Sequence, residues 1–397
     1  MLRQSVPVAF LVLAVGGCGS DGDGSGGTAG SAGGSSGGSA GSGSAAGASG
    51  SGNNGGLGGA SGSGGIGGGA GSGGASGAGT GGAGTGGAPP TCTLKASGPI
   101  QVSADGQIVE HLRITSSSGA GVQVNGHKNV VIRNLEILHA GGVGIDISNA
   151  DDIVIENVSI QHTGAPATGK NPSENLNNIS CYQSARPRVT GARLSRGSSG
   201  VYLVQCPDST LQKLEGHDFR GPFPRGQLVQ WNNSDNGVLE DFSVINPASS
   251  WPEDNVNVFQ SKNVTVRRGM IDGNNSPSGV GVIFDGGPST GLVEDVDAIR
   301  MGNGCFSDYD GGPGVVFRRT RCRENICGDQ GRGTPLSNAL MWAGHTSHTD
   351  LKLEQGEYFK ACNPSNLVWP QSSFSVVDLK ENDFTMRPPI QSKFCWE

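Results

Sequence analysis

Three Gly-, Pro- and Asn-rich segments concentrate the side chains most able to do chemistry in this sequence: Gly216–Gly226, Asn246–Asn255 and Asp272–Gly279. His217, Glu253, Asp254 and Asp272 supply titratable groups, and any of them with a shifted pKa could work as a general acid or base. Arg220 and Arg225 can hold a carboxylate in bidentate fashion. Phe223 and Trp251 offer flat apolar faces, and Asn257, Asn274 and Asn275 add amides able to bind hydroxyls. Removal of a proton beside a uronate carboxylate needs a base and a neutralising cation, roles open to His217 and Arg225. Hydrolysis of a glycosidic bond needs two carboxyls, for which Glu253 or Asp254 with Asp272 are candidates. The Asp/Asn clustering also permits Ca2+, although no calcium-loop spacing is present and no other cofactor is expected. The competing reading is structural: Pro, Gly, Asn and Asp are ordinary turn residues, and Arg–Asp pairs inside loops would use up the same charges.

The elements that must position these segments emerge from internal repeats. Val131–Ile137, Val154–Ile160, Val238–Val244, Thr265–Ile271, Leu292–Ala298 and Val316–Cys322 align as an apolar residue, a charge, a turn-type residue and an alternating strand. Between them recur short period-two strands bounded by Gly or Asn, such as Gly121–Val124, Gly144–Ile147, Gly200–Leu203, Asn255–Val258 and Gly279–Val282. Strands this short, repeating every 22 to 36 residues without an amphipathic helix, describe a β-solenoid.

The alternation of "Gly-x-Ile-x-Ile" with "Ile-Arg/Glu-Asn-x-x-Ile" resembles the pectate-lyase-like right-handed parallel β-helix superfamily, in its generic β-helix repeat branch, over about Ile100 to Val377. The resemblance implies an all-β domain of about 10 coils. It also implies that the Asn134, Asn157, Asp241 and Asp295 column lies in a tight turn as an internal ladder, and that the variable loops between second and third strands stack on one edge. The three segments above would then be neighbours along roughly 10–15 Å, with a fourth loop from Glu324 to Ser337. Asp285, Asp308 and Asp310 would extend the same face. That superfamily hosts lyases, hydrolases, epimerases and non-catalytic adhesins, and its hydrolase signatures are missing here. The column Glu240, Arg267, Glu294, Arg318 alternates in sign on successive coils, which reads as a structural ladder. His345 and His348, in a Gly/Thr/Ser turn, read as solvated.

Composition sets the surroundings. Of the 71 Gly in 397 residues, 35 fall between Gly19 and Pro90, where the sequence is almost wholly Gly, Ser and Ala. Such a stretch has almost no apolar side chains with which to offset its ordering entropy, and 19–91 is expected to be a disordered tether reaching roughly 50 Å. Arg3, the apolar run Val6–Val15 and Val15-Gly16-Gly17-Cys18 resemble a bacterial lipoprotein signal peptide over residues 1–18, with Cys18 as the lipidated residue and the outer membrane as destination. Residues 92–397 remain as the folded domain. The net charge of −7 and the absence of a basic run argue against nucleic acid, and leave the lipid as the only membrane contact. Setting Cys18 aside from the nine cysteines leaves an even number in an exported chain, hence disulfides, with Cys181–Cys206, Cys305–Cys327 and Cys362–Cys395 as the expected pairs. Cys322 and Cys327 lack a second half for a zinc site. The expectation is a monomeric surface lipoprotein whose β-helix acts on or binds extracellular polysaccharide, as a uronate-polysaccharide lyase, epimerase or hydrolase. The alternative is a non-catalytic module that binds glycan or protein.

Overall fold

The computed structural model describes residues 91–334, 339–344 and 350–397. Cys18, the Gly-rich segment, His345 and His348 lie outside them. The described chain is a parallel β-solenoid: two parallel sheets, one of 15 strands and one of 11, exchange the chain at every coil. Eleven strands in the shorter sheet correspond to the expected ten or so coils. Its single helical piece among the described residues is the 3-10 turn Gln371–Ser373.

The long sheet is built from strands such as Val131–His139, Val154–His162 and Val264–Asn274. Each bends at one left-handed residue, with Asn134, Asn157, Asp241 and Asp295 at φ between 52° and 56°. Asn and Asp tolerate that conformation, which explains the column that the repeats display. The column is not internal. Its side chains stand half-exposed or exposed at the corner, and Arg268 and Arg319 reach across one coil to clasp Asp241 and Asp295. The buried amides sit instead between the long and short sheets. There Asn178 donates to the Ile160 and Ser195 carbonyls, and Asn246 donates to Asn255 at 2.7 Å. At the third corner a serine ladder takes their place, with Ser234, Ser261 and Ser289 each accepting a backbone N–H from the coil before.

Inward positions stack by type. Ile114, Ile137, Ile160 and Leu194 form one buried row, and Val124, Ile147, Cys181, Leu203, Trp231, Val258 and Phe284 another. Outward, the charged ladder is present: Arg133 meets Glu110 at 2.7 Å, Arg267 meets Glu240 at 2.6 Å, and Arg318 lies between Glu294 at 3.4 Å and Glu354 at 2.8 Å.

Four disulfides close the domain. Cys181–Cys206 forms one coil apart, as expected. The other two expected pairs do not form: Cys305 bonds Cys322, Cys327 bonds Cys362, and Cys395 bonds Cys92. The last follows from the path of the C-terminal segment. After Glu381 the chain runs back over the outer face of the long sheet. Arg387 N–H donates to Asp297, Ile390 N–H to Ser243, Ser392 N–H to Glu215, and Glu397 pairs with Arg193. This strap returns Cys395 to the first coil, beyond the reach of Cys362.

Candidate functional site

The three loops leave the long sheet at one corner and pass over the outer face of the short sheet. Arg220 is 2% exposed and forms a bidentate pair with Asp218, both contacts at 2.8 Å. It also donates to the Pro166, Ala167 and Gly169 carbonyls. Ser250 from the next loop donates to the same Asp218 at 2.7 Å. Arg225 is buried with its guanidinium over the Tyr202 ring, 3.9 Å from the centroid, and donates to Gln230 at 3.2 Å. Tyr202 and Gln230 are outward residues on adjacent strands of the short sheet, so Arg225 works as a clamp that folds its loop onto the sheet. It does not touch Asp254.

Asp254 is buried and accepts from Asn257 at 2.9 Å and from the Val280 N–H at 3.1 Å. Burial, reinforced by Glu253 beside it, pushes its carboxyl well above the usual carboxylate range. Glu253 accepts from Ser278 at 2.7 Å and Ser276 at 3.3 Å, and burial raises it as well. Asn274 donates to the Glu253 carbonyl at 2.6 Å, and Asn275 to those of Ala248 and Ser250. Over this group lies Arg332, a half-buried residue between exposed ones in the described stretch Cys327–Thr334. Its guanidinium sits 4.4 Å above the Trp251 ring, 3.7 Å from Glu253, and donates to the Pro252 carbonyl. Trp251 is thus half-buried beneath a cation.

Two titratable groups remain toward solvent. His217 is exposed at the end of Thr210–His217, and Asp272 pairs with Arg300 from the following coil. Burial raises the Asp272 carboxyl and Arg300 opposes that. The two occupy one column with Ile245 between them, which sets them about 10 Å apart. Phe223 projects 69% exposed. The loops are therefore brought together as neighbours, but His217, Arg225, Asp254 and Asp272 do not meet in one open groove. Among the described residues no group of three or more His, Cys, Asp and Glu is placed to hold a metal. Tyr202, Gln230 and Arg300 join the site without standing out in the sequence. The short-sheet pair sits at outward positions of strands that read as ordinary pleat, and Arg300 follows Ile299, the register partner of Asp272 on the next coil, outside the column in which charges alternate.

A model of the right handed beta helix region matches residues 98–222. No curated protein matches the chain. Solved structures that resemble it include the tailspike gp61 of Pseudomonas phage phi297, at 13% identity and TM-score 0.47 over 65% of this chain and 43% of that one. A catalytic domain of a GH87 alpha-1,3-glucanase in complex with nigerose gives 7% identity and TM-score 0.42 over 72% and 63%. The periplasmic alginate epimerase AlgG gives 11% identity and TM-score 0.30 over 69% and 78%. The chain spans 43% of the length of the tailspike and 63% of that of the glucanase domain. Residues 98–222 are a right-handed parallel β-helix region, and the same two sheets carry the coil on to Glu381.

Proposed function

We propose that this chain is an exported surface protein whose β-helix binds extracellular polysaccharide along the corner where its three long loops emerge. The observation that carries this reading is the division of labour among the loop residues. Arg220, Arg225, Glu253, Asp254, Asn257, Asn274 and Asn275 are spent on fixing the loops. Phe223, His217 and the Asp272–Arg300 pair are thereby held facing solvent on a rigid edge. A preorganised edge loses little entropy on binding a hydroxyl-rich chain. Charges that pair off internally favour binding over turnover. The four disulfides suit an oxidising compartment outside the cytoplasm. In this reading residues 1–18 direct export, Cys18 carries the lipid, 19–91 is the spacer, and 92–397 works as a monomer.

One observation favours catalysis as a second reading: Glu253 and Asp254 are adjacent carboxyls with raised pKa values beneath a single inserted side chain, Arg332. A carboxyl whose pKa is raised keeps its proton to higher pH, the direction a general acid needs.

A glycan array and a panel of uronate polysaccharides separate these. Retention without any new absorbance from unsaturated ends and without new reducing ends is expected. Phe223→Ala and His217→Ala should each weaken retention by ~10-fold. Unchanged retention in both variants removes the loop edge as the binding surface, and product formation that Asp254→Asn abolishes replaces binding with catalysis. Repeating the retention with a chelator tests calcium. For the anchor, Cys18→Ser should move the chain from the detergent phase to the aqueous phase.

A further inference from the structure

The corner loops cover only part of the outer face of the short sheet. Its first outward column is buried beside them: Tyr202, Gln230 and Asn257, register partners on successive strands, are 6%, 5% and 4% exposed. The second column, two residues along each strand, stays open. Tyr182 is 36% exposed there, and Val204, Asn232 and Phe259 follow it in register, half-buried. Both rings are held in place. Tyr182 meets Tyr202 edge-on at 6.0 Å and 81°. Phe259 lies over Gly286, where an added Cβ would come within 2.3 Å of the ring. The two rings stand three coils apart, about 14 Å from the coil spacing. Each of these four strands is followed by an exposed amide: Gln183, Gln205, Asn233 and Gln260. All four have left-handed backbone, at φ between 49° and 54°. Gly and Asn adopt that conformation with least strain, an advantage Gln does not share. Arg268 and Arg319 hold it too, and each reaches an acidic partner on the neighbouring coil. The glutamines reach only other amides. Gln183 donates to Gln205 at 3.1 Å, and Asn233 donates to Gln260 at 3.0 Å. Gln205 and Gln260 therefore accept, and among the described residues their NH2 groups donate to nothing.

We infer that this band, two aromatic rings flanking a row of fixed amides, binds an uncharged polysaccharide laid along the solenoid axis. This rests on the polysaccharide reading above, names the sugar class and adds a second strip of surface beside the loops. A pyranose presents a face of C–H bonds to the negative face of an aromatic ring and keeps its hydroxyls at the rim. An amide offers a donor and an acceptor to such hydroxyls. The amides recur with the coil, so a linear chain of sugars meets the same chemistry at each step. Their bonds to one another fix them before a ligand arrives, which lowers the entropy lost on binding. The sugar class follows from charge. None of the eight residues in the band carries one. Further along the same turns the charges are of both signs, Arg186 and Lys262 with Asp208 and Asp235, so no positive patch draws in an anion. A uronate carboxylate set on the band would lose hydration without gaining a counter-charge.

The test uses the full chain and titration calorimetry, with neutral gluco-oligosaccharides and oligogalacturonates as the two probes. Neutral oligosaccharides should give a binding isotherm, and oligogalacturonates should not. Gln205→Glu combined with Gln260→Glu keeps both acceptors of the amide row and removes both NH2 donors. It should weaken neutral binding by ~10-fold or more while melting where the parent does. Tyr182→Ala should weaken it by ~10-fold, and Tyr182→Phe should retain most of it. Equal binding of oligogalacturonates overturns the sugar class. Undiminished binding in the glutamate variant and in Tyr182→Ala, together with loss in Phe223→Ala, overturns the band while the loop-edge reading stands. A glutamate variant that melts earlier yet binds as the parent does assigns the amides to structure alone and overturns their part in recognition. Concentration-dependent dimerisation that the glutamate variant abolishes overturns the band in favour of a contact between copies. Binding of no glycan at all overturns both readings.

Discussion

Asp308 is the residue whose position most departs from what its type prefers. It continues the inward row of Val258 and Phe284 and is followed by Ala343, so a carboxyl stands where the coil buries apolar groups. Neither oxygen has a well-formed hydrogen bond. Burial, with Asp310, Asp350 and Asp285 adding to it and the Gly311 amide offsetting it in part, raises its pKa to about 7 from 3.8. With the folded value above the unfolded one, the native state binds the extra proton between those values, and stability falls as pH rises through them. Asp308→Asn should remove that slope, raising stability at pH 8 by at most ~4 kcal/mol while changing little at pH 4. A variant whose melting temperature changes between pH 4 and pH 7 just as the parent's does sinks this account. His139 and His162 act in the same window with the opposite sign. They are buried with ring centroids 5.0 Å apart, and burial together with His162 lowers His139 to about 4 from 6.5. The unfolded chain takes up protons first as pH falls below 6.5, and stability should drop from there toward pH 4. His139→Gln, measured by melting at pH 7 and pH 4.5, should show a smaller drop than the parent.

Among the elements, the corner loops have the most distinctive construction. The first is fixed by two buried arginines, Arg220 on Asp218 and Arg225 on Tyr202, and Arg332 of the fourth loop is inserted on Trp251 and Glu253. Removing one partner of a buried pair leaves the other charge desolvated, which costs more than the intact pair contributes. Arg220→Met should therefore destabilise by ~3 kcal/mol, with Asp218 left to Ser250 and Arg196. Replacing both Arg220 and Asp218 by apolar residues should recover part of that loss. Chemical denaturation reads both, and a double variant no better than the single would discard the ion pair as the cause. Arg332→Ala should behave differently, because its described neighbours Cys327–Gly331, Gly333 and Thr334 are exposed. Faster proteolytic nicking near Gly331 with little change in the global melting temperature is expected.

At the scale of the whole molecule, the C-terminal strap decides how the solenoid is held. A coil stack needs only neighbouring contacts, and its ends are its weakest points. Here the segment from Asn382 to Glu397 crosses the outer face of the long sheet and bonds to Cys92 across 303 residues of sequence. In the chain-entropy view a loop of that length stabilises by at most ~6 kcal/mol. Cys395→Ser should lower the unfolding free energy by up to that amount. It should also increase hydrogen exchange at Ser243 and Glu215, whose side chains receive strap amides. Exchange and melting unchanged from the parent would mean that the strap contributes nothing to holding the ends.

The repeats alone determined the all-β coil, the outward charge ladder and the neighbourhood of the three loops, because a two-residue pleat and a fixed register turn sequence spacing directly into position. They also marked Asn134, Asn157, Asp241 and Asp295 as turn residues, since their left-handed backbone is a local property. Which way those side chains face was not local. The corner geometry turns them outward and gives the buried amide positions to Asn178, Asn246 and Asn255. The pairing of Cys395 with Cys92 depended on a strap crossing the whole sheet, which no spacing encodes. The same holds for the loop residues. Arg225 and Arg220 carry identical chemistry in sequence, yet one lies on a tyrosine and the other on an aspartate. Whether a charge meets solvent, a ligand or a partner is fixed by what the neighbouring coil places opposite it, and that is decided only when the coils stack.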